Sequence, residues 1–167
     1  NICLQLLKKG HNPIVITSFS HLKNLKKQNF LLPYKVISFP PMIFRFMIKL
    51  PYITQFFLEK FYDLLQKKYN FDFWHATFAY PIGVSVIKYC NKKNINYLVR
   101  AVGEDIQINE RINYGMRINK KINHEICQWL PKAKILVSIS DSIKKEYLSL
   151  GVKKKNIKNI PNGIDLN

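Results

Sequence analysis

Apolar and polar positions along this chain switch repeatedly between the period of a helix and that of a strand. Residues 2–9 pair apolar side chains at positions i and i+4, which predicts a helix that Gly10 can cap. Residues 14–17 form a short apolar run typical of a buried strand. Further strands are predicted at 34–39, 71–77, 96–102, 135–139 and 157–160, and further helices at 42–69, 81–93, 118–130 and 140–151.

This alternation is typical of a parallel sheet with crossover helices. It predicts one α/β domain of the Rossmann-like, doubly wound type, because 167 residues are too few for two nucleotide-binding domains of about 150 residues each. The series opens on a helix, whereas such a sheet needs a strand before its first helix. We therefore expect residues 1–160 to form a domain that lacks its first strand, with ligands beyond the carboxyl ends of the strands.

The helical region 42–69 is predicted to break at Pro51, which cannot donate a backbone hydrogen bond. In its second half Ile53, Phe57, Phe61 and Leu65 form one apolar stripe, and most of the charged side chains lie elsewhere on the helix. An amphipathic helix of this kind is expected to pack on the sheet.

The formal net charge of +17 favours anionic partners. Only four of the 27 basic residues are arginine, and the lysines are scattered among many asparagines and isoleucines. Two interpretations stay open, namely compositional drift and selection for an anionic surface such as a membrane. Nucleic acid is the less favoured partner, because proteins that bind it read base edges mainly with arginine.

Cysteine and histidine spacing gives no sign of a metal or redox site. The three cysteines lie far apart, and the four histidines have no metal-ligand spacing. The sequence shows neither a signal peptide nor an apolar run of about 18 residues. We expect a protein of the reducing cytosol without a membrane-spanning helix.

Three predicted strand-to-helix junctions carry unusual residues. The first, residues 75–83, holds His75, Phe78, Tyr80 and Gly83, and leads into a helix whose free N–H groups could hold an anion. The alternative is that the aromatic rings only fill the core beneath the loop.

The second junction holds Arg100, Gly103, Glu104 and Asp105 after a predicted buried strand. Glycine allows close approach of a ligand to the backbone, and the two carboxylates can accept hydrogen bonds. The alternative is that one carboxylate only caps the next turn.

The third junction, residues 138–142, places Ser140 among other polar side chains at the mouth of the sheet. Ordinary helix capping is the favoured interpretation here, with Ser140 or Asp141 as the cap.

Five segments in this order carry a family resemblance: residues 7–17 with a Gly-His pair, 71–83, the box 102–106, 133–140 and the Ile-Pro-Asn-Gly-Ile-Asp sequence at 160–165. Together they resemble the N-terminal half of GT-B glycosyltransferases of family 4. The last segment, the most specific of the five, is similar to the hinge that enters the second domain, so residues 161–167 are expected to begin that hinge.

The resemblance implies a retaining enzyme that moves a sugar from a nucleotide-sugar to a glycan or lipid-linked acceptor, as in the synthesis of cell-surface polysaccharide or lipopolysaccharide. It implies that this half holds the acceptor, that a C-terminal domain binds the donor, and that neither cofactor nor metal is obligatory. The fragment alone is therefore expected to be inactive. Two positions depart from the family pattern, since Val102 and Thr77 stand where the family has histidine.

The segment 41–62 combines many aromatic side chains with Arg45, Lys49 and Lys60, which is the composition of an interfacial surface. A lipid-linked acceptor at the inner face of the cell membrane would account for both features. The favoured alternative for this segment is that most of its rings pack between helix and sheet. The rival hypothesis for the whole chain is a non-catalytic basic module that binds anionic membrane or nucleic acid, and a weaker third option is another GT-B enzyme such as an epimerase. Catalytic residues cannot be assigned from the sequence, and the acceptor-cleft candidates are the residues of the three junctions.

Overall fold

All six strands of the described chain run parallel to their neighbours, and helices connect them. The computed structural model describes residues 2–28, 31–40, 43, 46 and 49–163. The chain divides after residue 46 into two compact units. Each unit contains one parallel sheet; the parallel pairing is as the alternating pattern predicts, whereas that pattern predicts a single sheet.

The first unit holds a two-stranded sheet. Its elements are α1 (Ile2–Lys8), β1 (Ile14–Thr17), α2 (Phe19–Lys27) and β2 (Lys35–Ser38). Gly10 follows α1 with a φ of +81°, which confirms its capping role. Helix α2 was not predicted from the sequence; Ser18 caps it by accepting a hydrogen bond from the backbone N–H of His21, and none of its side chains is buried.

The second unit holds a four-stranded sheet with the strands in sequence order. Its strands are β3 (Trp74–Thr77), β4 (Tyr97–Arg100), β5 (Leu136–Ser138) and β6 (Ile157–Asn159). The connecting helices are α3 (Pro51–Tyr69), α4 (Val84–Lys93), α5 (Lys120–Trp129) and α6 (Asp141–Ser149). The α/β class and the Rossmann-like pattern of parallel strands with crossover helices are thus confirmed.

Helix α3 begins at Pro51, at the break that the sequence predicts, while most of 42–48 lies outside the described residues. Its buried face shares only Leu65 with the predicted stripe. The buried side chains are Thr54, Leu58, Tyr62 and Leu65, whereas Ile53 and Phe57 are 54% and 59% exposed. Relative to the predicted stripe, the buried face of α3 is therefore rotated by about one residue, because Tyr62 has ring partners in the sheet and in α4.

An aromatic cluster joins α3, β3 and α4. The ring centroids of Tyr62 and Trp74 lie 5.2 Å apart, and the Tyr89 ring is 5.3 Å from that of Tyr62 and 5.8 Å from that of Trp74. The indole N–H of Trp74 donates to Gln66 Oε1 over 2.8 Å. Rings at these distances and tilts add attraction to their burial, so this cluster fixes α3 and α4 on one face of β3.

The fully buried Tyr147 side chain ties helix α6 to the sheet by hydrogen bonds. The Tyr147 hydroxyl accepts from the backbone N–H of Ala101 over 3.0 Å and donates to the carbonyl of Val137 over 3.2 Å. Ala101 directly follows β4 and Val137 lies in β5. The helix thereby holds the point at which the chain leaves β4.

Candidate functional site

The carboxyl ends of β3 and β4 lie side by side, with Thr77 paired to Arg100. In the next pair Arg100 lies opposite Val137 of β5. The three predicted junctions therefore leave neighbouring strands at one edge of the sheet. This edge is where ligands bind in open α/β sheets.

Asp105 joins the first two junctions. Its side chain is fully buried, and its Oδ1 accepts from the backbone N–H of Val102 over 3.0 Å and of Gly103 over 2.9 Å. Its Oδ2 accepts from the backbone N–H of Ala79, in the loop after β3. One carboxylate therefore accepts hydrogen bonds from three backbone N–H groups that would otherwise be unsatisfied, and it joins the two loops into one surface.

The loop after β3 is held tightly around Phe78. The Phe78 N–H donates to the carbonyl of Arg100 over 2.9 Å, and the Phe78 carbonyl accepts from the N–H of Gly83 over 3.1 Å. A Cβ on Gly83 would lie 2.5 Å from the Phe78 oxygen and 2.6 Å from Val99 Cγ1. Glycine is required at position 83 because the loop folds directly against it.

Tyr80 lies in this loop but is buried, with 6% exposure. It lines a pocket of about 10 Å³ together with Gln55, Ser85, Lys88 and Glu125, among others. That volume holds about one water molecule. Tyr80 therefore packs inside the unit, in keeping with the alternative that its ring fills the core, and its role toward an acceptor stays a prediction.

His75 and Arg100 lie on neighbouring strands. Protein atoms around the imidazole displace water and lower the pKa of His75, and the positive charge of Arg100 lowers it further. The Arg100 guanidinium donates to Asn162 Oδ1, in the segment that follows β6. Above its lowered pKa His75 is neutral, so its ring can donate and accept one hydrogen bond each.

The loop after β4 is a compact structure that continues to residue 118. Its middle closes through an antiparallel bridge between Asn109 and Tyr114, and the Met116 N–H donates to the carbonyl of Glu104 over 2.8 Å. Gln107 Nε2 donates to Ser142 Oγ over 2.6 Å. Glu104 is exposed on this loop, so its carboxylate is available to a ligand.

The third junction has the structure that capping requires. Ser140 Oγ accepts from the backbone N–H of Ile143 over 3.3 Å and so caps α6. Sequence reasoning placed Ser140 correctly but missed Gln107 and Asn162, which bind groups on other elements. Asn162 lies in the Ile-Pro-Asn-Gly-Ile-Asp segment and Gln107 directly follows the box 102–106, but neither pattern indicates the partner side chain, and only the folded chain brings each pair together.

Two further features concern metals and membranes. The described residues contain no group of three or more His, Cys, Asp or Glu side chains that could hold a metal ion. Within the same part of the chain, no helix combines the length and apolar character needed to cross a bilayer.

Parallel strands, crossover helices and polar loops at one sheet edge define a Rossmann-like α/β protein. Among known families, Glycosyltransferase Family 4 matches residues 1–167. The chain belongs to Glycosyltransferase Family 4, which confirms the resemblance found in its five segments and identifies a transferase-type protein. Comparison with curated protein sequences gives no match.

Proposed function

We propose that this chain forms the acceptor-binding side of a retaining GT-B enzyme. The enzyme moves a sugar from a nucleotide-sugar to a glycan or lipid-linked acceptor in the synthesis of cell-surface polysaccharide or lipopolysaccharide. The observation that supports this most is the link through Asp105, which makes the loops after β3 and β4 a single surface. The surface lies at the sheet edge where α/β proteins bind ligands.

The exposed groups of this surface suit a hydroxylated ligand. Neutral His75 can donate and accept hydrogen bonds, and the exposed Glu104 carboxylate accepts them from hydroxyl groups. Arg100 adds a positive charge suited to an anionic substituent of the acceptor. As the family resemblance implies, the donor nucleotide binds mainly through a second domain, and transfer proceeds without an obligatory metal.

Transfer assays with the intact protein test this proposal. The protein is incubated with a panel of nucleoside-diphosphate sugars and glycan or lipid acceptors, with and without EDTA, and nucleotide release is measured. We expect acceptor-dependent release that EDTA does not change. Glu104→Gln should lower it at least about tenfold, whereas Glu110→Gln, an exposed carboxylate on the same loop, should leave it unchanged. Absence of release with every donor, or equal rates for the two variants, contradicts the proposal.

The outer face of α3 supports a membrane location for this enzyme. Its large exposed side chains are Tyr52, Ile53, Phe56, Phe57 and Leu64. Lys60 lies 5.5 Å from the Phe56 ring, and Lys67 and Lys68 are exposed as well. Both acidic residues of α3 are paired with α4, Glu59 with Lys92 and Asp63 with Lys93. The outer face is therefore apolar and positive, which suits anionic lipid.

Vesicle flotation tests the binding to anionic lipid that a location at the cytoplasmic face of the membrane requires. The intact protein should float with vesicles that contain anionic lipid and not with neutral vesicles. Replacing Phe56 and Phe57 by serine should abolish flotation, whereas Leu148→Ser, at an exposed site on α6, should not. Flotation that ignores lipid charge contradicts the location. Salt-sensitive binding of nucleic acid without sugar transfer would favour the rival, a non-catalytic basic module.

A further inference from the structure

Phe78 has an unusual backbone conformation for an aromatic residue. Its φ is +79° and its ψ is 132°, in a region that L residues with a side chain rarely adopt. The other non-glycine residues with positive φ in the described chain are Asn70, Asn94 and Asn113. Asparagine tolerates the left-handed region far better than a bulky residue does, so Phe78 is the exception that needs a reason.

The surroundings impose this conformation. Hydrogen bonds hold the Phe78 N–H and carbonyl, and the next N–H, that of Ala79, donates to buried Asp105. The loop already packs directly against Gly83, because a Cβ built on that residue would lie 2.5 Å from the Phe78 carbonyl oxygen. The loop therefore cannot relax by moving toward α4. Strained conformations persist where the surrounding structure over-determines them, and they concentrate at functional sites.

Packing does not explain why the strained residue is phenylalanine. Its side chain is 46% exposed, although the loop conformation would be easier for glycine. The ring lies at the carboxyl edge, one residue after β3, and the exposed side chains of His75 and Thr77 precede it on the strand. An exposed apolar ring thus directly follows exposed polar residues of β3 at the sheet edge proposed for the acceptor.

We propose that Phe78 is a stacking platform for the apolar face of a sugar ring in the acceptor, and that Asp105 is the positioning residue that holds the platform in place. The inference rests on the function proposed above and adds the residue that contacts the ring. A pyranose has a face of C–H groups, which fits the negative face of an aromatic ring, and hydroxyl groups at its rim, which fit the polar neighbours. The ligand class is therefore a hexopyranoside.

Saturation-transfer NMR with methyl glycosides of glucose, galactose and mannose tests the platform on the intact protein. We expect at least one glycoside to bind, with saturation strongest on the protons of one ring face. Phe78→Ala should weaken its binding about fivefold to tenfold, and Phe78→Trp should retain it. Ile112→Ala is the matched control, because Ile112 is a 70% exposed apolar side chain on the neighbouring loop, and it should bind as the wild type does.

Asp105→Asn separates positioning from general folding. The variant keeps a carbonyl acceptor but replaces the second oxygen by a donor, so the Ala79 contact or the Val102 and Gly103 contacts must weaken. We expect weaker glycoside binding in a protein whose circular dichroism is that of the wild type. Combining Asp105→Asn with Phe78→Ala should cause no further loss, because both changes remove the same platform. Additive losses would contradict the positioning role.

The results separate this inference from the proposed function. If the protein transfers sugar and Phe78→Ala leaves the KM for the acceptor unchanged, the platform is overturned and the proposed transferase function stands. If glycoside binding depends on Phe78 but the protein transfers no sugar, the platform is supported and the proposed transferase function is contradicted. Binding of no glycoside, or equal binding by wild type and Phe78→Ala, overturns the platform.

Discussion

The junctions after β3 and β5 both lead from a strand into a helix, yet different forces hold them. After β5, Ser140 caps α6 through a hydrogen bond to Ile143, three residues further on. After β3, the helix α4 has no side-chain cap, and the loop depends on Asp105, which is 26 residues away. The first arrangement is local and serves a helix. The second couples two loops and serves a surface.

The two arrangements indicate which part of the sheet edge forms a functional surface. A local cap stabilises its own helix and places no demand on a neighbouring loop. The β3 junction combines a buried carboxylate that binds two loops, a strained aromatic residue and a glycine without room for a side chain. Each of these features restricts the conformation of the loop after β3. The β3 junction is therefore the more specialised of the two, and changes there should have larger effects.

The largest effect is expected from removing the Asp105 carboxylate. Asp105→Ala leaves three N–H groups without their acceptor, each at a cost of about 1–3 kcal/mol. We expect the free energy of unfolding to fall by about 3 kcal/mol or more, measured by urea denaturation. The matched change Ser140→Ala removes only a cap and should cost about 1 kcal/mol. Equal losses for the two variants would show that the junctions are held in the same way.

A methyl group at position 83 should have the next largest effect. Gly83→Ala places a Cβ 2.5 Å from the Phe78 oxygen and 2.6 Å from Val99 Cγ1. Overpacking of this kind costs about 1–3 kcal/mol, and thermal denaturation should show it. Gly163→Ala is the control, since a Cβ there would meet no atom within 4 Å. A Gly83→Ala protein as stable as the control would mean that the loop is not tightly constrained.

The strain at Phe78 predicts that the glycine variant at this position is more stable than the alanine variant, the reverse of the usual order. At an ordinary position alanine is more stabilising than glycine, but at a φ of +79° glycine avoids a strain of order 1 kcal/mol or more. Phe78→Gly should therefore unfold at a higher urea concentration than Phe78→Ala. The ordinary order, with alanine the more stable, would remove the evidence for strain.

The smallest effect concerns the protonation of His75. Because its pKa is lowered in the folded protein, the unfolded chain binds more protons between that value and the ordinary value of about 6.5. The contribution of neutral His75 to the free energy of unfolding is therefore complete above about pH 6.5. It is lost as the pH falls from that value through the lowered pKa. NMR titration should show the lowered pKa directly.

Arg100→Gln should raise the pKa of His75 without restoring the ordinary value, because the larger cause, desolvation, remains. Arg111→Gln, which removes an exposed arginine of the loop after β4, should not change it. A titration that is the same in both variants would rule out a contribution from Arg100.

The sequence predicts the order of elements well, because that order depends on local periodicity. Strand β1 and the start of α3 at Pro51 lie where the pattern places them. The buried face of α3 does not, since apolar spacing alone cannot distinguish Phe57 from Leu58 when both are apolar. The ring contacts of Tyr62 with Trp74 and Tyr89, which no local pattern shows, decide the outcome.

The candidate site was predictable only in part, for a similar reason. The sequence indicates Asp105 as a carboxylate that follows a buried strand, with capping of the next turn as the alternative role. The structure shows a wider role, because the N–H of Ala79 reaches it from another loop. Gln107 and Ser142 are 35 residues apart, and their hydrogen bond follows from the parallel order of β4 and β5 rather than from a motif.

Amide hydrogen exchange tests most directly whether Asp105 makes one site of two loops. In the wild type the N–H groups of Ala79, Val102 and Gly103 should exchange slowly. In Asp105→Asn, whose amide keeps only one acceptor oxygen, we expect exchange to become at least about tenfold faster at Ala79 or at Val102 and Gly103, while the N–H of Ile143, which Ser140 holds, keeps its rate. Unchanged protection of all three N–H groups in that variant would contradict the account.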